Sequence, residues 1–339
     1  MHAKKLHAKR RIMTGWKRRV TGAATAVAAT AVATAAAVGG LGMTANAAPL
    51  HTTQAAVAGS AAAWSKQAAV PSARSTEGPA LAVFDGTLYA FWEGLTTNNI
   101  YYSTYSGGKW AKTPKALNQY TAGVPAVTAY DGKLYVAWTG LHTNDVFYEI
   151  YSGGKWSAKA TVPSGSSGAG PALAVFDGSL YAVWEGLHTN NIYYRTYSGG
   201  KWAKTLKALN QYTAGDPAVT AYDGKLYLGW AGLHTNDVFY ETYNGSKWSA
   251  KATVPSAISG DGPALAVFDG SLYVGWEGIT TNKVFYVSYD LGKWSKQATV
   301  SASSFTGLTV NVPALASYDG KLYAAWTGRS TDDLFYSAS

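Results

Sequence analysis

From about residue 62 the chain alternates short apolar runs with pairs of turn-forming residues. The run from Ala172 to Phe176 ends at Asp177-Gly178, a dipeptide that turns one strand tightly into the next. A second run, Leu180 to Trp184, leads into the polar segment Glu185-Gly186-Leu187-His188-Thr189-Asn190. A third, Ile192 to Tyr197, turns at Ser198-Gly199-Gly200, and a fourth starts near Trp202 and runs to about Ala208. Runs this short, bounded by Gly, Asp and Asn, predict strands rather than helices. The first three are apolar at nearly every position, which predicts strands covered on both faces.

The unit repeats. Trp92, Trp138, Trp184, Trp230 and Trp276 are 46 residues apart, and Trp326 follows after 50. Trp64, Trp110, Trp156, Trp202, Trp248 and Trp294 keep the spacing of 46 throughout. Four strands per unit of about 46 residues match a propeller blade, and six units predict an all-β, six-bladed β-propeller. The last unit breaks off after its third strand, at Phe335-Tyr336-Ser337. Ala63-Trp64-Ser65-Lys66 reads as an orphan fourth strand. Pairing that N-terminal strand into the last blade closes the ring and removes an exposed edge.

A second, longer period lies inside the first. Blades one, three and five carry Phe-Asp-Gly and Trp-Glu-Gly, as at Phe84 and Glu93. Blades two, four and six carry Tyr-Asp-Gly-Lys and Trp-Thr-Gly or Trp-Ala-Gly, as at Tyr130 and Thr139. The segments 116–123 and 208–215, read as connectors, share one sequence 92 residues apart. Binding sites built on such a ring are expected in threes or sixes.

The amino terminus changes the reading of charge. Residues 1–19 hold eight Lys or Arg and no acid, followed by an Ala/Val/Thr/Gly stretch and then Ala45-Asn46-Ala47. That order predicts a secretory signal peptide over 1–47, cleaved after Ala47, with an Ala-rich linker over 48–61 and the propeller over 62–339. A membrane anchor is the alternative reading of the stretch, and cleavage would leave no membrane span. The formal charge is +9, but without those eight residues 20 basic face 19 acidic residues. The basic excess therefore sits in the leader, and a nucleic-acid partner is not expected. With no Cys, an exported domain depends on its apolar core.

The repeat, which covers nearly all of the chain past the leader, resembles the blades of propeller lectins of the tachylectin-like and fungal fucose-binding types. Sialidase Asp-box repeats are more distant: Ser103-Thr-Tyr105-Ser-Gly107-Gly-Lys-Trp110 lacks the aspartate, and Ser288-Tyr-Asp290-Leu-Gly292-Lys-Trp294 is one residue short. The resemblance implies a propeller and leaves the ligand open.

In a meander, the loops between second and third strands share a face with the connectors between blades, and the tight turns lie on the other. The first face carries the longer, polar segments and is where function is expected. A sugar needs an apolar platform for its C–H face and fixed polar groups for its hydroxyls. Candidates on that face are Glu93, Glu185 and Glu277 beside Trp92, Trp184 and Trp276. Asn98, Asn190 and Asn282 follow in the loops, and His142, His188 and His234 lie there too. Structural readings stand beside these: the tryptophans as packing between blades, Thr-Asn as loop closure, Glu as solvated strand ends. The three His are on different blades, so no metal site is expected, and no cofactor motif is present.

Glycoside hydrolysis needs two carboxylates in distinct environments at one place. A sequence that scarcely breaks its own symmetry does not provide them, and the leaderless chain holds only Arg74, Arg195 and Arg329 for a sialidase-like arginine cluster. The expectation is a secreted, extracellular, multivalent lectin-like binder of glycans or polysaccharide rather than an enzyme. The alternative is a protein-interaction scaffold or targeting subunit of a secreted, toxin-like assembly. The insertion at Ser303-Ser304-Phe305-Thr306 is the asymmetry that would mark it.

Overall fold

Strand pairing follows the repeat. In the computed structural model, which describes residues 63–281, 283–300 and 312–339, every regular element is a strand. The segments read as leader and linker, and the insertion near Phe305, lie outside the described residues. The strands form six antiparallel sheets, each a blade in which inner, second, third and outer strands are neighbours. In blade three these are Ala172–Phe176, Ser179–Glu185, Asn191–Ser198 and an outer strand in two pieces, Lys201–Trp202 and Lys207–Tyr212. The outer strand therefore runs past the expected end at Ala208 and takes in residues 208–212 of the segment 208–215 read as a connector. A register shift between Asn191 and Tyr193 absorbs the irregularity, with Asn210 at φ 59°.

The ring closes as expected. Ala68–Arg74 pairs with the third strand of blade six, Asp333–Ala338, with Ala68 opposite Tyr336 and Arg74 opposite Asp333. Ser65 N donates to Ala338 O at 2.7 Å, which anchors the Trp64 segment to the same strand. The first and second strands are joined by Asp-Gly turns in which both residues have positive φ, as at Asp177 (47°) and Gly178 (67°). That is the geometry of a type I′ hairpin, and it accounts for the Asp-Gly pair in every blade.

One apolar cluster fills each wedge between neighbouring blades. Between blades six and one it comprises Trp92, Leu88, Leu334, Tyr323, Val70 and their neighbours. Each wedge takes one tryptophan from the later blade's second strand and one from its outer strand. Trp110 packs edge-on against Tyr336 at 5.6 Å, and Trp248 against Tyr194 at 5.6 Å. Trp156 Nε1 donates to Tyr102 OH at 3.4 Å and Trp248 Nε1 to Tyr194 OH at 3.2 Å, so in these two wedges the indole N–H has a partner on the preceding blade. Five prolines that stand ahead of inner strands, Pro79, Pro125, Pro171, Pro217 and Pro313, line a narrow axial channel of about 120 Å³.

Candidate functional site

The loops between second and third strands are closed from within. Gly94 O accepts from Thr97 N at 3.2 Å and Asn98 N at 3.0 Å, and Thr97 Oγ1 accepts from Asn99 N at 3.3 Å. Asn98 and Asn190 both sit at φ 54°, a region that asparagine tolerates better than most residues. Asn98 Nδ2 donates to Glu93 Oε1, and Asn190 Nδ2 donates to Glu185 Oε1 at 2.5 Å. Glu93 is 5% exposed and Glu185 6%. Burial pushes the Glu93 carboxyl up to about 7, against the pull of the Asn98 hydrogen bond. These acids and asparagines hold the loop; Glu277 is equally buried, and Asn282 lies outside the described residues.

The glutamates and tryptophans do not share a surface. Successive residues of a strand point to opposite faces. Trp92 therefore faces blade six while Glu93 faces away from it. Trp92, Trp184 and Trp276 are each 1% exposed, their ring faces covered by the neighbouring blade, so the packing reading is the one the structure supports. His142, His188 and His234 are exposed at the loop tips of separate blades. Among the described residues no group of three or more His, Asp or Glu is arranged to hold a metal ion.

A cavity of about 410 Å³ opens at the wedge between blades six and one. Its apolar lining is Tyr101, Leu95, Pro114 and the edge of Trp92. The Tyr101 and Trp92 rings stack at 6.3 Å. The polar lining is Ser72 and Arg74 from the closing strand and Thr96, Thr97 and Thr113 from blade one. Arg74 is steered by blade six: Nη2 donates to Thr331 O at 2.9 Å, and Asp332 and Asp333 lie at 3.8 and 3.6 Å. These pairs are half-exposed and position the side chain more than they stabilise the fold. The cavity joins an aromatic wall to hydroxyls and one cation.

The equivalent place elsewhere is furnished differently. One position of the third strand faces the preceding blade from inside each wedge. It holds Ser103, Glu149, Arg195, Glu241, Val287 and Ser337 in turn, all at most 6% exposed. Between blades one and two, burial pushes Glu149 up to about 7, while Gln119 and Lys159 pull the other way. Lys159 Nζ caps the Phe147 ring at 4.4 Å, where Phe147 stands in the place of Tyr101. Blade four repeats this, with Lys251 over Phe239 at 4.3 Å and Gln211 bonded to Glu241. Neither Arg74, Tyr101 nor this variable position is among the candidate binding residues named from the sequence. The signal was present: one position of an otherwise faithful repeat changes charge from blade to blade.

A separate group of acids lies on the connectors. Asp216 Oδ1 accepts from Gly170 N at 2.5 Å, and Asp261 Oδ1 accepts from Asp216 N at 3.4 Å. Burial, then the charges of Asp261 and Glu77, push Asp216 well above the usual carboxylate range; burial lifts Asp261 to about 6. Both carboxylates receive backbone N–H groups, which ties the connectors of blades three, four and five together.

Among solved structures, Aleuria aurantia lectin in complex with Fucα1-6GlcNAc superimposes with a TM-score of 0.61 at 14% identity, covering 76% of this chain and 90% of that one. The chain has the fold of that lectin. AofleA from Arthrobotrys oligospora gives 0.57 at 11% identity, over 81% of this chain and 85% of that one. Trypanosoma rangeli sialidase gives 0.55 at 12%, over 79% of this chain but 55% of that one. No family profile matches the sequence, and neither does any curated protein. What is shared with these structures is the six-bladed frame.

Proposed function

We propose that the chain is an exported glycan-binding protein and that it holds a sugar at the wedge between blades six and one. The observation that carries this reading is the cavity there, of about 410 Å³, with Tyr101 as its apolar wall and Arg74, Ser72, Thr97 and Thr113 at its polar rim. A pyranose presents one C–H face and a ring of hydroxyls, and this lining complements both. Two neighbouring structures are complexes with a fucosylated disaccharide and with α-methyl fucoside, which makes fucosides the first sugars to try. Export rests on the order of basic head, apolar stretch and Ala45-Asn46-Ala47. No carboxylate lines the cavity, so the pair that glycoside hydrolysis needs is missing from it, which favours a binder over an enzyme.

The test is calorimetric titration of the purified protein with α-methyl fucoside and with the best hits of a glycan array. One sugar per chain is expected at this wedge. Arg74→Gln, an exposed change that leaves the core intact, should weaken binding by at least ten-fold. Failure of every glycan to bind, or unchanged binding by Arg74→Gln, would refute the assignment.

A further inference from the structure

Arg195 is the unexplained charge of this molecule. It is 6% exposed, in the third strand of blade three, facing blade two. Nη1 donates to Ala203 O at 3.0 Å, the sole hydrogen bond of its guanidinium among the described residues. Nε is buried and meets no acceptor, and Arg195 is in no ion pair among the described residues. A guanidinium stays protonated at any ordinary pH, so the charge cannot be relieved by losing a proton. Buried charges are found paired because leaving water uncompensated is costly.

The other wedges show how this protein deals with a charge at that position. Glu149 and Glu241 are each matched by a glutamine across the wedge and by a lysine of their own blade. The register places Gly165 where Gln119 stands and Ser166 where Tyr120 stands. At these two positions the facing blade therefore brings Arg195 neither an acid nor a long acceptor. Its Nε–Nη2 edge is the one left over once Nη1 has taken Ala203 O, and two parallel N–H groups match the two oxygens of a carboxylate.

We propose that the wedge between blades two and three binds the carboxylate of an acidic sugar, with Arg195 as its anchor. The sugar part of this ligand rests on the glycan reading above; the anion does not. The missing negative charge comes with the ligand, as it comes with Glu149 and Glu241 in the neighbouring wedges.

Titration of the purified protein with glucuronic acid and with its methyl ester reads the charge at nearly constant size. The acid is expected to bind at least ten-fold more tightly than the ester. Arg195→Gln should reduce acid binding by ten-fold or more, and Arg195→Lys, which keeps the charge but not the fork, should fall between. The same variants titrated with α-methyl fucoside show whether the other wedge and the fold are intact, and should match the parent protein. Acid and ester binding alike, no binding of the acid, or equal affinity in Arg195→Gln overturns the proposal. Acid binding that depends on Arg195 while no fucoside or other neutral glycan binds would retain this site and reject the one between blades six and one.

Discussion

The wedge between blades six and one and the wedge between blades one and two share a frame but not a content. Both pack a second-strand tryptophan, Trp92 or Trp138, against the preceding blade. In the first, Ser103 is small, the Tyr101 ring has no lysine over it and a cavity remains. In the second, Glu149 takes the place of Ser103, Gln119 reaches it from blade one, and Lys159 lies on the ring that replaces Tyr101. The comparison teaches that near-perfect sequence repetition does not give equivalent sites. Apolar frame residues fix the geometry six times over, while the buried third-strand position and its partners across the wedge differ from blade to blade.

The comparison can be broken most sharply by moving the acid. Ser103→Glu places a carboxylate in the first wedge without the glutamine and lysine that accompany Glu149. It should destabilise the fold by about 3 kcal/mol at neutral pH, read by urea unfolding. A cost below about 1 kcal/mol would show that the wedge admits water freely.

A smaller effect comes from the native acid. The folded pKa of Glu149, about 7, lies above its ordinary value, so the folded protein binds the extra proton. Stability contributed by that proton is complete below the unfolded value and is lost as pH rises through about 7. Glu149→Gln should therefore unfold at a higher temperature than the parent at pH 8 and at nearly the same temperature at pH 4. Equal shifts at both pH values would remove the titration from the account. Glu93 and Asp261 are raised in the same direction, to about 7 and about 6, so the parent protein should itself melt at a higher temperature at pH 5 than at pH 8.

The smallest effect belongs to the cap. Lys159→Ala uncovers the Phe147 ring and removes a charge that steadies ionised Glu149. A loss of about 0.5 kcal/mol is expected from an exposed lysine over a ring. A change beyond 2 kcal/mol would mean that the lysine is integral to the core.

Much of the fold was legible because its determinants are local and repeated. Asp-Gly pairs require positive φ at both residues and so mark the hairpins. The two tryptophan series mark the blades, and the unpaired strand near Trp64 revealed how the ring closes. The candidate site was less legible. Trp92 and Glu93 are adjacent in sequence, which invited one shared surface, yet strand alternation sends them to opposite sides. Asn98 followed a threonine in a polar loop, which suited ligand binding as well as loop closure until its φ of 54° and its bond to Glu93 were seen.

By itself the sequence determined the strand content, the number of blades and the closure, since hairpin turns and apolar periodicity depend on neighbours a few residues away. Only the tertiary structure decided where a ligand has room. Arg74 and Tyr101 meet because the N-terminal strand completes blade six beside blade one, and Arg195 is left without a glutamine across its wedge because the preceding blade carries Gly165 at the register position of Gln119. Volume and charge balance in a wedge are properties of two blades at once, and neither blade's sequence contains them alone.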